Sequence, residues 1–161
     1  MHRWPASCAI TVRRAAFGLA LAGLLITAPG TTTRAAAELD PKAISIQLPA
    51  DIKWVKGRGS ESATLVGDPS KPGLYVVLQK WLPHNNSRPH FHPNDRYITV
   101  LSGTWWVNTG EKYDPDGMKP VPAGSFVTHF AKQVHYDGAK DVECILQIVG
   151  MGPAASTPVA Q

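Results

Sequence analysis

Pro89-His90-Phe91-His92-Pro93-Asn94-Asp95-Arg96-Tyr97-Ile98-Thr99-Val100-Leu101-Ser102-Gly103 is the stretch that decides the fold. His90 and His92 are two positions apart. In an extended strand such residues project from one face, so both imidazoles point the same way. Imidazole is the commonest protein ligand for divalent transition metals near neutral pH. A third histidine, His135, follows a turn at Pro122-Ala123-Gly124. Two histidines from one strand and a third from a later strand predict a facial metal site inside a β barrel.

The sequence around this stretch is punctuated like an all-β protein. Pro and Gly recur throughout, and no part of the chain after residue 37 keeps a helical period for three turns. Ile44, Ile46 and Leu48 alternate with Ser45 and Gln47, the pattern of a half-buried strand. Short strands are predicted over 52–56 and 63–66, and longer ones over 74–82 and 142–149. Another spans 97–107, broken at Ser102-Gly103, and one more covers 125–130. Loops fall at 67–73, 83–89 and 108–118, where turn residues cluster. Residues 153–161 are small and polar and read as a flexible tail. Trp105 and Trp106 are adjacent, so one faces inward. The outward one suits a subunit interface, where exposed tryptophan is enriched, and makes a homodimer a possible assembly.

The N-terminus reads as a cleaved signal peptide over residues 1–37. Arg3, Arg13 and Arg14 form a basic region, 15–28 an apolar region, and Ala35-Ala36-Ala37 a small-residue cleavage site. The apolar run is too short to cross a bilayer, which takes about twenty residues. The expected location is therefore periplasmic or secreted, with no membrane association after cleavage. Cleavage removes four of the sixteen Lys and Arg and none of the twelve Asp and Glu, so the mature domain is formally neutral. No basic run survives to mark a nucleic-acid partner. Of the two cysteines only Cys144 remains, so no internal disulfide is possible. Cys144 reads as a small buried hydrophobe.

The chain resembles a cupin. The family's motifs are G-x5-H-x-H-x3/4-E-x6-G and G-x5-P-x-G-x2-H-x3-N. The first falls on His90, His92 and Gly103, the second on Gly124 and His135, and together the resemblance covers about residues 72–150. It implies one cupin-type β-barrel over 38–152, a double-stranded β-helix related to the jelly roll. It also implies a divalent transition metal (Fe, Mn, Ni, Cu or Zn) on His90, His92 and His135. The likeness is to small, single-domain, exported bacterial cupins.

The departures carry information. His84 stands at the family's first Gly, Phe130 and Lys132 at its Pro and second Gly, and Ala139 at its Asn. The glutamate position is Arg96, or Tyr97 if the spacing is one longer. Arginine stays protonated and cannot ligate. The site is then either three-His, as in cupins that resemble diketone-cleaving and thiol dioxygenases, or completed by Asp95 or His129. Arg96 is a candidate binder of an anionic substrate, with a salt bridge to Asp95 or Asp137 as the alternative. Tyr97 and His129 are candidates for proton transfer or for hydrogen bonding to a ligand. The expected partner is a small molecule. Three functions stay open: a dioxygenase-like oxidoreductase, a cupin lyase or isomerase, and a non-catalytic binding module.

Export is checked by the intact mass of protein from its native host. Loss of roughly the first 37 residues is expected; a soluble cytosolic species retaining Met1, Arg3 and Arg13 would refute it.

Overall fold

The structure, a computed structural model, describes residues 38–160. The expected signal peptide lies outside the described residues. The compact unit that carries the histidines spans Ile44–Gln161. After a 3-10 turn at Pro49–Asp51 the chain forms twelve strands. They are β1 (Val55–Lys56), β2 (Ser60–Val66), β3 (Gly73–Trp81), β4 (Asn85–Asn86), β5 (His90–Phe91), β6 (Arg96–Ser102), β7 (Thr104–Thr109), β8 (Lys119–Pro122), β9 (Phe126–His129), β10 (His135–Ala139), β11 (Cys144–Gly152) and β12 (Thr157–Pro158). No α-helix occurs among the described residues.

The strands make two antiparallel sheets. One has the order β1-β2-β3-β11-β6-β9, the other β12-β5-β10-β7-β8 with β4 also on β10. Between them lies a core of Tyr75, Ile98, Val100, Trp105, Ala139, Cys144, Leu146 and Ile148. The pleat explains this list. In β11, Cys144, Leu146 and Ile148 alternate with half-buried Ile145, Gln147 and Val149. Register then aligns Leu146 with Val100 and Ile148 with Ile98, so one apolar row continues across the sheet. Trp105 is the inward member of the tryptophan pair and is fully buried. Trp106 is half-buried, and the Lys140 ammonium lies 4.1 Å from its ring centre. Cys144 is buried as expected, and desolvation, reinforced by Asp137, pushes its thiol up to about 12.

β6 does not continue straight into β7. The chain crosses from one sheet to the other at Gly103, whose φ is +73°. A Cβ there would stand 2.2 Å from the Glu143 carbonyl oxygen. The break predicted at Ser102-Gly103 is thus a corner that only glycine can turn.

Two expectations are corrected. Ile44, Ile46 and Leu48 form no strand and are more than half exposed. Alternation alone makes no strand where no neighbour supplies hydrogen bonds. The segment expected to be a flexible tail is tied down. The Ala154 amide donates to the Pro69 carbonyl, β12 pairs with β5, and the Val159 amide donates to the Pro89 carbonyl. Small polar composition hides these bonds because they are made by backbone groups.

The inward row of β6 yields a direct test. Ile98 is fully buried, whereas its neighbour Tyr97 is 46% exposed. Ile98→Ala should cost about 2–5 kcal/mol in urea unfolding, the range for truncating a buried aliphatic side chain. Tyr97→Ala should cost under about 1 kcal/mol. Equal losses would mean the inward and outward faces of β6 are misassigned.

Candidate metal centre

β5 and β10 are neighbours, and their register sets His90 directly across from His135. His92 follows just beyond β5. The ring centroids of His90 and His92 are 4.9 Å apart, those of His90 and His135 4.6 Å, and those of His92 and His135 5.2 Å. One ring nitrogen from each lies within 4.8 Å of the others. The structure thus brings together all three residues that the sequence offered as ligands.

Their tautomers are fixed by backbone carbonyls. His90 Nδ1 donates to the Arg88 carbonyl at 2.8 Å, and His135 Nδ1 to the Gln133 carbonyl at 3.0 Å. Both bonds are local, two residues back along the chain. His92 Nδ1 donates to the Ala155 carbonyl at 2.8 Å, from the segment that was expected to be loose. A proton on each Nδ1 leaves each Nε2 with its lone pair, the form a metal binds. His135 Nε2 is buried and has no hydrogen-bond partner. Burial, the largest cause, with the Arg96 charge behind it, holds His92 down near 3. Burial also lowers His135, against the nearby Asp137 carboxylate, which raises it. Oriented lone pairs, two rings whose charged form burial disfavours and one orphaned buried nitrogen fit a divalent transition ion.

Arg96 stands where the fourth donor was sought. It pairs in register with His129 and shares the inward face of β6 with Ile98. One guanidinium nitrogen, NH1, donates to His92 Nε2, and Nε is buried without a partner. The ion pairs among the described residues are Lys71–Asp68 and Lys80–Glu61, so the alternative of a salt bridge from Arg96 to Asp95 or Asp137 is not realised. Asp95 instead accepts the Ala131 amide at 2.7 Å and does not complete the centre.

His129 joins the cluster. It is buried, its ring centroid lies 3.8 Å from that of His135, and its Nδ1 has no partner. Its imidazole, with those of His135 and the Asp137 carboxylate, forms a second overlapping group of donors. Desolvation, then the charges around it, hold His129 down to about 2, so it is a neutral ring. Tyr97 does not reach the site. It has the opposite parity to Arg96, pairs with Thr128, and stacks on Phe126 on the outer face at 6.4 Å. Its candidacy for proton transfer is therefore corrected by one step of the pleat. His84 is an exposed loop residue with φ +61°.

A cavity of about 370 Å³ opens beside His90 and Arg96. Trp81, Pro89, Leu146, Ile148 and Pro158 give it apolar walls, and Gln79, Ser87, Asp137 and Ser156 give it polar points. Asp137 was not singled out as a site residue in the sequence. Its signal was parity with His135, two positions earlier on β10. Its Oδ1 accepts the Ser87 hydroxyl at 3.1 Å.

With this geometry in hand, comparison with known proteins is informative. No protein-family model matches the chain, and no curated protein matches its sequence significantly. Solved structures do match. The polyketide cyclase RemF from Streptomyces resistomycificus is 18% identical, with a TM-score of 0.60 over 73% of this chain and 87% of that one. A double-stranded β-helix protein from Klebsiella pneumoniae is 18% identical, with a TM-score of 0.55 over 72% and 97%. A cupin-2 domain protein from Rhodospirillum rubrum is 13% identical, with a TM-score of 0.56 over 73% and 81%. The chain shares the fold of these proteins, an all-β double-stranded β-helix. At these identities the likeness carries the fold and none of the neighbours' chemistry.

Metal analysis of purified variants checks the centre. His90→Ala and His135→Ala should each lose most bound metal, and His84→Ala should lose none. A chain ending at Gly152 lacks the carbonyl that orients His92 and should bind about 10–100-fold more weakly. Equal metal content in the wild type and the His90/His135 double variant would exclude this donor set.

Proposed function

We propose that the chain is an exported, metal-dependent cupin enzyme, a dioxygenase-like oxidoreductase that acts on a small organic anion. One observation carries the reading. Three imidazoles converge where the family resemblance implied three plus a carboxylate, and an arginine occupies the carboxylate's place. A divalent ion held by His90, His92 and His135 would supply Lewis acidity and open positions for a chelating substrate.

The chain's own residues do the rest. His90 and His135 are pinned by their own neighbours, so their lone pairs are set before anything binds. Arg96 supplies positive charge at the cavity wall, and its planar fork suits a carboxylate. Trp81, Leu146 and Ile148 keep water away from the reacting atoms. Asp137, fixed by Ser87, is the group on the cavity wall that can take a proton. His129, a neutral ring beside His135, helps exclude water and carries no imidazolium proton to donate.

A second reading is cyclase, lyase or isomerase chemistry without oxygen. Asp137 on the cavity wall favours it, and the cyclase named among the structural neighbours supports it. An oxygen-electrode screen of Fe(II)-, Mn(II)-, Ni(II)- and Cu(II)-loaded protein against diketones, flavonols, thiols and catechols decides between them. Oxygen uptake that depends on both substrate and His135 is expected. Substrate loss without oxygen uptake would transfer the assignment to the second reading. Tight binding with neither would make the chain a binding module.

A further inference from the structure

We propose that Arg96 couples the metal centre to a small carboxylate ligand, so that each binds more tightly when the other is present. The proposal rests on the three-histidine reading above and adds the ligand class and the switch. A neutral imidazole with Nδ1 protonated has one lone pair, on Nε2. At His92 the Ala155 carbonyl holds the Nδ1 proton, and Arg96 NH1 donates to Nε2. That lone pair cannot hold an ion and accept from Arg96 at once. Ion binding therefore drives the guanidinium off His92.

Among the described residues the guanidinium is paired with no protein carboxylate, and its Nε already lacks a partner. Asp137 lines the same cavity, but its Oδ1 accepts from Ser87 and it makes no ion pair with Arg96. A half-buried cation stripped of its acceptor loses stabilisation, and a neighbouring dication adds repulsion. A carboxylate in the cavity supplies two acceptors that match the guanidinium fork. It stabilises the withdrawn Arg96 and thereby frees His92 Nε2. The cavity, about 370 Å³ with Leu146 and Ile148 on its wall and Gln79 and Ser156 as polar points, suits one small organic acid. Linkage makes the effect reciprocal: the ion must tighten the carboxylate by the same factor.

The test is titration of metal-free full-length protein with Co(II), read by calorimetry and by visible absorbance. It is run alone, with propionate, and with propionamide, the neutral isostere. Propionate should tighten Co(II) binding about 5- to 150-fold, the usual range for coupled sites. Propionamide should leave it unchanged. NMR titration of propionate should show tighter binding with Zn(II), the diamagnetic substitute, by the same factor as propionate tightens Zn(II). Arg96→Ala and Arg96→Gln should bind Co(II) at least as tightly as wild type without propionate, and propionate should then shift binding less than about twofold. The wild-type arms stand even if one variant fails to fold. The coupling is overturned if propionate does not shift wild-type binding, if both variants keep the shift, or if both bind Co(II) more weakly. If His135→Ala still binds Co(II) like wild type, the three-histidine reading falls and the coupling with it. If His135→Ala loses Co(II) and wild type shows no propionate effect, only the coupling falls.

Discussion

Each imidazole of the centre has a single lone pair to offer, and backbone carbonyls decide which nitrogen offers it. This constraint organises the site. His90 and His135 donate Nδ1 to carbonyls two residues earlier, so a strand entering the sheet orients its own ligand. His92 lies past the end of β5 and depends on the Ala155 carbonyl, 63 residues away in sequence. The pairing of β12 with β5 and the bond from the Ala154 amide to the Pro69 carbonyl place that carbonyl. The described segment 153–160 thus serves the histidine cluster as well as the fold.

The two sheets divide the labour. The sheet of β3, β11, β6 and β9 supplies the apolar row of Ile98, Leu146 and Ile148, and at the end of that row Arg96 and His129. The other supplies His90, His135 and Asp137. The cavity forms where the apolar row meets the donors. An arginine, four histidines and an aspartate share this small volume, and burial disfavours the charged form of His92, His129 and His135. Burial holds His92 near 3 and His129 near 2, so the Arg96 charge is not joined by imidazolium charges.

What the sequence made legible follows from what is local. The two-residue spacing of His90 and His92, the turn before β9 and the corner at Gly103 are short-range facts, and each appears in the structure. His135 was reachable through the family motif. Parity was legible but needed an anchor. Arg96 and Tyr97 were both offered for one position, and the register of Arg96 with His129 and of Ile98 with Val127 places Arg96 inside and Tyr97 outside. Long-range backbone bonds were not legible. Nothing in Ala155 announces that its carbonyl holds His92, and nothing in Ile44-Ser45-Ile46 announces that no strand lies beside it. Side-chain chemistry can be read from composition, whereas backbone acceptors look alike at every position.

The exchange of a carboxylate for a guanidinium changes the electrostatics of the whole centre. A carboxylate donor would lower the net charge around a divalent ion by one; Arg96 raises it by one instead. At about 4 Å and an effective dielectric of about 20, a dication and a guanidinium repel by about 8 kcal/mol before relaxation and screening. A nearby carboxylate ligand returns an attraction of the same order to both. Asp137 offsets part of the charge, but it acts through His135 and is held by Ser87 rather than by Arg96. On the coupling proposed above, an anion that reached both a bound ion and Arg96 would offset that charge. In a cupin with a carboxylate ligand that compensation is built into the protein. Here, on that coupling, it would come from the ligand that enters the cavity, which would tighten the metal without being a condition of holding it.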